Sequence, residues 1–262
     1  MTPHDIFVTT ERAPSDRVRR WAETLAARLN APLANRRHES IERLARLNAR
    51  GAALIVGESG LWIVRNGRNY KFHPNMASRR VANLETGQTD RFVAASGLVP
   101  GDHLLDCTCG LGADAIVASH VVGPAGQVEA VEASTLLADI VSAGFARYNK
   151  GSGALARAMR RVTMIPGDYA SLLRSLQPSS RDIVYFDPMF ETTLDHAQGI
   201  DLVRTLAVAG APSREDVDEA QRIAKKRVVV KDRCPGRLLR KLGIPIVSRG
   251  RSTWYGALSV RR

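Results

Sequence analysis

Apolar side chains recur along the first seventy-odd residues with two different periods. Ile6-Phe7-Val8-Thr9-Thr10 is a β-branched and aromatic run, which predicts a strand. From Ser15 onward Val18, Trp21, Leu25 and Leu29 fall on one helical face, and Trp21 is expected in the core. A second helical stripe, Ile41, Leu44 and Leu47, follows Pro32 and the pair Arg36-Arg37, with Gly51 expected to end it. Short strands are predicted at 53–56 and 61–64, separated by Gly57-Glu-Ser-Gly60 and followed by a turn at Asn66-Gly67. Beyond His73-Pro74, the segment from Arg79-Arg80 to Ser96-Gly97 reads as a connecting helix with a loop.

From residue 101 strand and helix alternate. Strands are expected at 103–107, 127–132, 162–166, 182–186 and 227–231. Ser213 and Asp216 form an S-x-x-D capping pattern, with Val217, Ala220 and Ile223 at helical spacing behind it. The last segment reads as a hairpin: residues 244–247, a basic turn at 248–252, then 254–260. Such alternation implies a mostly parallel sheet with helices on both faces. The chain therefore divides into a small α/β N-terminal domain, residues 1–75, and a larger α/β domain, residues 76–262.

Composition excludes several classes. The 262 residues are 44% hydrophobic and 24% charged, the balance of an ordinary globular chain rather than a disordered, collagen-like or coiled-coil one. No window approaches the roughly 18 apolar residues of a membrane span, and the start has neither a basic n-region nor an apolar h-region, so a cytoplasmic protein with no membrane association is expected. Three cysteines, Cys107, Cys109 and Cys234, are too few for a disulfide framework.

Charge adds a hint about partners. The net charge is +12, distributed as +7 over residues 1–100, −4 over 101–200 and +9 over 201–262. Of the 38 basic residues 32 are Arg, whose planar fork matches phosphate. Two basic flanks around an acidic middle favour a phosphate-rich partner.

The acidic middle holds the first candidate site. In Leu104-Leu105-Asp106-Cys-Thr-Cys-Gly110-Leu-Gly112-Ala113-Asp114 an apolar strand runs into an acidic residue, a glycine-rich turn and a helix. Gly110 and Gly112 permit a tight turn and close approach of a ligand, while the helix start offers free N–H groups. About twenty residues later a second strand ends at Glu132, where a carboxylate can accept both ribose hydroxyls. Asp106 and Asp114 would repel a pyrophosphate. They suit instead a ligand carrying an ammonium and a sulfonium, as S-adenosylmethionine (SAM) does.

A second motif, Asp182-Ile-Val-Tyr-Phe-Asp187-Pro188-Met-Phe190, ends a buried strand where open α/β sheets hold ligands. Asp187 supplies an acceptor, Pro188 fixes the backbone, and Phe190 offers a flat face for a planar substrate. Methylation of an amine conjugated to a heteroaromatic ring needs all three functions.

Together with Arg227-Val-Val-Val-Lys231, these motifs resemble the class I SAM-dependent methyltransferases of the small-subunit ribosomal RNA guanine-N2 methyltransferase type, as an uncharacterised branch with a different N-terminal unit. The similarity covers roughly residues 70 to 262. It implies a Rossmann-like sheet of seven strands with the last one antiparallel. It also implies a cofactor, SAM, with S-adenosylhomocysteine as product, and a partner, ribosomal RNA or the small ribosomal subunit. Carried over by position, Asp106, Gly110, Gly112, Ala113 and Asp114 line the cofactor turn. Glu132 and Ala133 lie at the ribose, Asp168 and Tyr169 at the adenine. Asp187 faces both the methyl group and the target amine, with Pro188, Phe190 and Lys231 completing the catalytic set.

Other readings compete. Cys107, Cys109 and His103 invite a metal, but C-x-C without a second pair favours small buried side chains, and no metal is expected. Lys231 is a substrate phosphate contact or a catalytic-pocket lysine, or else a strand-end lysine reaching solvent. The Arg79-Arg80 pair and the Arg249/Arg251 turn are candidates to grip RNA backbone. A methyltransferase acting on a small molecule or protein, and a non-catalytic RNA-binding protein retaining the fold, are the alternative functions.

Overall fold

The computed structural model describes residues 5–188, 206 and 210–260. It contains two compact units, one built on residues 5–73 and 139–148, the other on residues 74–138, 149–188 and 210–260.

In the first unit β1 (Ile6–Thr10), β2 (Ala52–Gly57), β3 (Gly60–Arg65) and β4 (Arg68–Lys71) form a sheet in that order. The β1–β2 pair is parallel and the others antiparallel. β4 is not anticipated by the apolar pattern, because its residues Arg-Asn-Tyr-Lys are polar. Its signal is the turn before it: Asn66 and Gly67 both adopt positive φ, 50° and 71°, as a tight two-residue hairpin requires.

Helix α1 (Asp16–Leu29) starts at Ser15, whose side chain accepts the Val18 N–H, and buries Val18, Ala22, Leu25, Ala26 and Leu29. Trp21, expected in the core, lies at the edge of that face. Ala22 takes the buried place, and the half-buried indole sits under the Arg147 guanidinium, 4.5 Å from its centroid. Helix α2 (Ile41–Leu47) stops at Asn48 rather than Gly51 and buries only Leu44, leaving Leu47 exposed.

The second unit holds a seven-stranded sheet of β5 (His103–Asp106), β6 (Gln127–Glu132), β7 (Val162–Pro166), β8 (Arg181–Phe186), β9 (Ala224–Arg233), β10 (Ile246–Arg249) and β11 (Thr253–Ser259), ordered β10-β11-β9-β8-β5-β6-β7. Strands β5 to β9 are parallel, and β11 runs antiparallel to both β9 and β10. This is the Rossmann-like arrangement with an antiparallel last strand that the resemblance implied.

Between 79 and 97 there are two helices, α3 (Met76–Glu85) and α4 (Arg91–Ser96). Gly87 at φ 79° breaks the first, and Asp90 caps the second by accepting the Phe92 and Val93 N–H groups. Helix α5 (Ala113–Val122) follows β5, α6 (Thr135–Arg147) follows β6, and α7 (Gly153–Arg161) and α8 (Tyr169–Ser175) flank β7. Helix α9 (Arg214–Ile223) has the capping box read from Ser213 and Asp216. Leu105, Val184, Phe186, Val217, Ile223, Val228 and Val230 are all fully buried in one core beneath the sheet. Each contributes roughly 1.5–3 kcal/mol by leaving water.

Strand β9 exceeds the expected 227–231 at both ends. At its end β11 draws it into the ladder, pairing Asp232 with Trp254 and Arg233 with Thr253, and at its start Ala224 pairs with Arg181 of β8. Lys231 therefore lies inside a strand. The chain winds outward from β5 through β6 to β7, then in the other direction from β8, so β5 and β8 flank the switch point where such sheets open a crevice at their carboxyl ends.

Candidate active site

Two acidic segments leave the sheet side by side at that switch point. After β5 the chain makes a turn stitched to both neighbouring strands: the Cys107 N–H donates to the Tyr185 carbonyl at 2.9 Å and the Cys109 N–H to the Val131 carbonyl at 2.8 Å. Asp106, buried, accepts the Thr108 N–H at 3.0 Å. Burial pushes its carboxyl well above the usual range, and the neighbouring Asp114 and Asp187 add to this.

Gly110 and Gly112 adopt φ of 54° and 76°, and a side chain on Gly110 would meet no atom within 4 Å, so that side of the turn is open. The Gly110 N–H donates to Glu132 Oε2 at 3.0 Å, and the Ser134 N–H to Glu132 Oε1 at 2.9 Å. Glu132 is thus fixed at the end of β6, with its pKa raised by burial against the pull of these two donors. Gly112 caps α5 without a side chain, leaving the first-turn N–H groups uncapped. Beyond β7 the Gly167 N–H bonds the Glu132 carbonyl at 2.9 Å, which brings Asp168 next to the same strand end. Asp168 caps α8, its Oδ2 accepting the Ser171 N–H at 2.9 Å. Tyr169 packs edge-on against Phe186, ring centroids 5.5 Å apart, and burial pushes its hydroxyl up to about 12.

The second segment begins one residue beyond the pair Phe186–Val230, where Asp187 and Lys231 follow on neighbouring parallel strands. Lys231 Nζ donates to Asp187 Oδ2 at 2.7 Å and to Asp114 Oδ2 at 3.1 Å. Lys231, partly buried, thus turns toward these two carboxylates. The Tyr185 hydroxyl donates to Asp114 Oδ2 at 2.8 Å, and Arg80 Nη1 to Asp114 Oδ1 at 2.5 Å. Arg80 also forks onto Asp90, with Nε to Oδ2 at 2.7 Å and Nη2 to Oδ1 at 3.0 Å. Asp114 thus has three donors on its carboxylate.

The charges within this chain set one another. Burial would raise the Asp114 pKa, but Lys231 and Arg80 outweigh it and hold the group well below the usual carboxylate range. At Asp187 burial prevails over the pull of Lys231, and the pKa is raised. Lys231 stays protonated, because the two aspartates overcome its burial. The Asp187 N–H donates to Thr108 Oγ1 at 2.6 Å, tying the two segments together. Pro188 is buried, whereas Phe190 lies outside the described residues.

The sequence profile of the family described as "Putative SAM-dependent methyltransferase" matches residues 67–254. The uncharacterized protein YpiP of Bacillus subtilis is 34% identical over 254 residues, 96% of this chain and 98% of its own. The chain belongs to this methyltransferase family. Ribosomal RNA small subunit methyltransferase J of Acinetobacter baumannii is 30% identical over 162 residues, spanning 60% of this chain and 55% of that relative. Its counterpart in Pseudomonas aeruginosa is 28% identical over 183 residues, 67% of this chain and 63% of the relative. In fold the methyltransferase resembles the crystal structure of a SAM-dependent methyltransferase from Neisseria gonorrhoeae, with a TM-score of 0.63 at 20% identity over 97% of this chain and 95% of that one.

The methyltransferase's turn suits its cofactor. The open side over Gly110, the free donors at the uncapped start of α5 and a carboxylate fixed at the end of β6 are groups that fit SAM.

Among the described residues no group of three or more His, Cys, Asp or Glu is placed to hold a metal. Cys107 and Cys109 are buried free thiols, pushed up by burial. Of the basic pairs thought to grip RNA, Arg80 must be withdrawn, since its guanidinium turns inward to Asp90 and Asp114. Arg79 is exposed, Arg249 stacks on Trp254 at 5.3 Å, and Arg251 is exposed. Three members of the site were missed. Thr108 lay inside the quoted glycine motif, where a hydroxyl two residues after a strand-end aspartate was a usable signal. Tyr185 was visible as a buried strand tyrosine that needs a partner. Arg80 had no local signal, because its partners are 10 and 34 residues away.

Proposed function

We propose that this methyltransferase modifies an exocyclic base amine, guanine N2 in RNA of the small ribosomal subunit, in the cytoplasm. The observation that carries the reading is the position of Asp187, bonded through its N–H to the cofactor turn and through its carboxylate to Lys231. The relatives named as small-subunit ribosomal RNA methyltransferases and the Arg-rich flanks support an RNA substrate.

In this reading residues 76–262 carry the chemistry. Gly110, Gly112, Ala113 and the uncapped start of α5 take the cofactor's amino-acid part, with Asp106 beneath. Glu132 and Ala133 meet the ribose, and Asp168 and Tyr169 the adenine. Asp114 acts through Lys231 and Arg80 rather than by direct contact, since its carboxylate is already taken. SAM, when bound, supplies an electrophilic methyl group on a sulfonium. Lys231 occupies Asp187 Oδ2, and Oδ1 accepts an N–H of the target amine, so the nitrogen lone pair is aimed instead of spread into the ring. Pro188 fixes the backbone that presents this carboxylate. The flat face assigned to Phe190 rests on sequence alone. As the N–C bond forms and the C–S bond breaks, the nitrogen becomes acidic and sheds its proton to Asp187 or water, leaving S-adenosylhomocysteine.

The test is where label goes. Methyl-labelled SAM is offered to small ribosomal subunits from a deletion strain and, separately, to a metabolite extract. Label in the subunit RNA supports the reading, and label in the extract alone overturns it.

A further inference from the structure

In the unit built on residues 5–73 and 139–148, α2 packs Leu44, Ile41 and Ala45 on the sheet beside Ile55, Trp62 and Val64. The register pairs Ile55 with Trp62 and Trp62 with Lys71, which places these three side by side on one face, Ile55 buried, Trp62 half-buried and Lys71 exposed. A cleft of about 440 Å³ opens there, with Ile55 and Val64 in its floor and Arg12, Arg36, Trp62 and Lys71 around it. That volume falls within the roughly 300–1,000 Å³ of ligand pockets.

The cleft has an excess of positive charge. Three cations meet one carboxylate, Glu42, which is held by its own backbone N–H and by Ser40. Neither Arg12 nor Arg36 forms an ion pair among the described residues. Arg36 donates through Nη1 to the Thr10 carbonyl at 3.4 Å, while its Nε is buried without a partner among the described residues. Burial, and then the neighbouring Arg12, lower the Arg36 pKa, as expected for two guanidiniums facing one space. An anion between them would give Nε its missing acceptor and cancel the repulsion. Beside them is a half-buried ring. Lys71 Nζ lies 4.2 Å from the Trp62 centroid, so that face is covered by an exposed ammonium and not by core side chains.

We propose that this cleft binds single-stranded RNA, with a phosphate between Arg12 and Arg36 and a base stacked on Trp62 where Lys71 now lies. The displaced ammonium turns to an adjacent phosphate. Duplex RNA does not suit the cleft, because its bases are not free to stack on a side chain. The choice of RNA rests on the substrate proposed above, whereas the pairing of an anion site with a ring does not.

The test uses the full chain and a fluorescein-labelled decauridylate, followed by anisotropy over a salt series. Arg12→Glu/Lys71→Glu, at two exposed positions, is expected to weaken binding more than about tenfold and to flatten the salt slope by about 1.4, at ~0.7 per phosphate lost. Trp62→Ala is expected to weaken it by roughly five- to hundredfold, and Trp62→Phe to retain most of it. Calorimetry with S-adenosylhomocysteine shows whether each variant remains folded and cofactor-competent. Unchanged affinity in the double variant overturns the proposal, as does uridine monophosphate or a duplex competing as well as the decauridylate. Because the readout is binding, a chain that binds here yet methylates no RNA keeps this inference and loses the proposed function. RNA methylation with unaltered binding in the double variant does the reverse.

Discussion

Thr108 Oγ1 accepts the Asp187 backbone N–H at 2.6 Å, joining the turn after β5 to the residue after β8. Thr108 is itself set by Asp106, which accepts its N–H, so the cofactor turn and the proposed acceptor carboxylate move as one piece. Thr108→Val keeps the volume and removes the acceptor. It should lower kcat about tenfold through misplacement of Asp187, with a smaller change in S-adenosylhomocysteine affinity, and Thr108→Ser should restore both. Steady-state kinetics beside calorimetry would show it, and equal kcat in the valine variant would remove the link.

Lys231 neutralises two carboxylates at once. Asp114 is only 7% exposed at its side chain, so removing the cation leaves a buried carboxylate with Arg80 as its remaining ion-pair partner among the described residues. Lys231→Met should cost about 2–3 kcal/mol in urea unfolding, less than a fully buried pair because Asp187 is about a third exposed. Adding Asp114→Asn should recover part of that loss. A strand-end lysine of no consequence would give a change near zero.

The two aspartates titrate in opposite senses. Burial raises the Asp187 pKa, and this carboxyl accepts an N–H, and later a proton, far better when ionised, so kcat should fall on the acid side at a pH above the ordinary aspartate value of about 3.9. Asp114 is depressed. Its stabilising effect is present above the unfolded pKa and is lost as pH falls below about 3.9 toward the folded value. Asp114→Asn should therefore be less stable than the parent at pH 7 and lose stability less steeply below about pH 4. pH–rate profiles and urea midpoints between pH 3 and 7 read both effects.

Glu132 is the residue proposed to hold the ribose. Glu132→Ala should weaken S-adenosylhomocysteine binding by roughly ten- to hundredfold, the cost of charge-assisted hydrogen bonds to two hydroxyls. Glu132→Gln should fall between, since it keeps the contacts to Gly110 and Ser134 in part. Calorimetry giving the parent affinity for the alanine variant would move the ribose elsewhere.

Much of this arrangement was legible in the sequence wherever a signal is local. The glycine turn, the strand ending at Glu132 and the Ser213 cap each depend on neighbours a few residues away, and the strand and helix periods placed them. Strand β4 was not legible, because it is polar and pairs on the strength of the Asn66-Gly67 turn. Trp21 was misplaced, since helical spacing alone does not distinguish the centre of a buried face from its edge. The network through Arg80, Asp114, Tyr185 and Lys231 was not legible either. It bonds residues up to 117 positions apart, and only the sheet order and the packing of α3 on α5 bring them together.

The central claim is that Asp187 directs methyl transfer to a guanine amine in RNA. The most direct measurement is mass spectrometry of nucleosides from small ribosomal subunits of a deletion strain, incubated with SAM and either the parent chain or Asp187→Ala. The account predicts N2-methylguanosine with the parent and at least about a hundredfold less with the variant, while the variant still binds S-adenosylhomocysteine. Equal N2-methylguanosine from both proteins, or none from the parent, would contradict it.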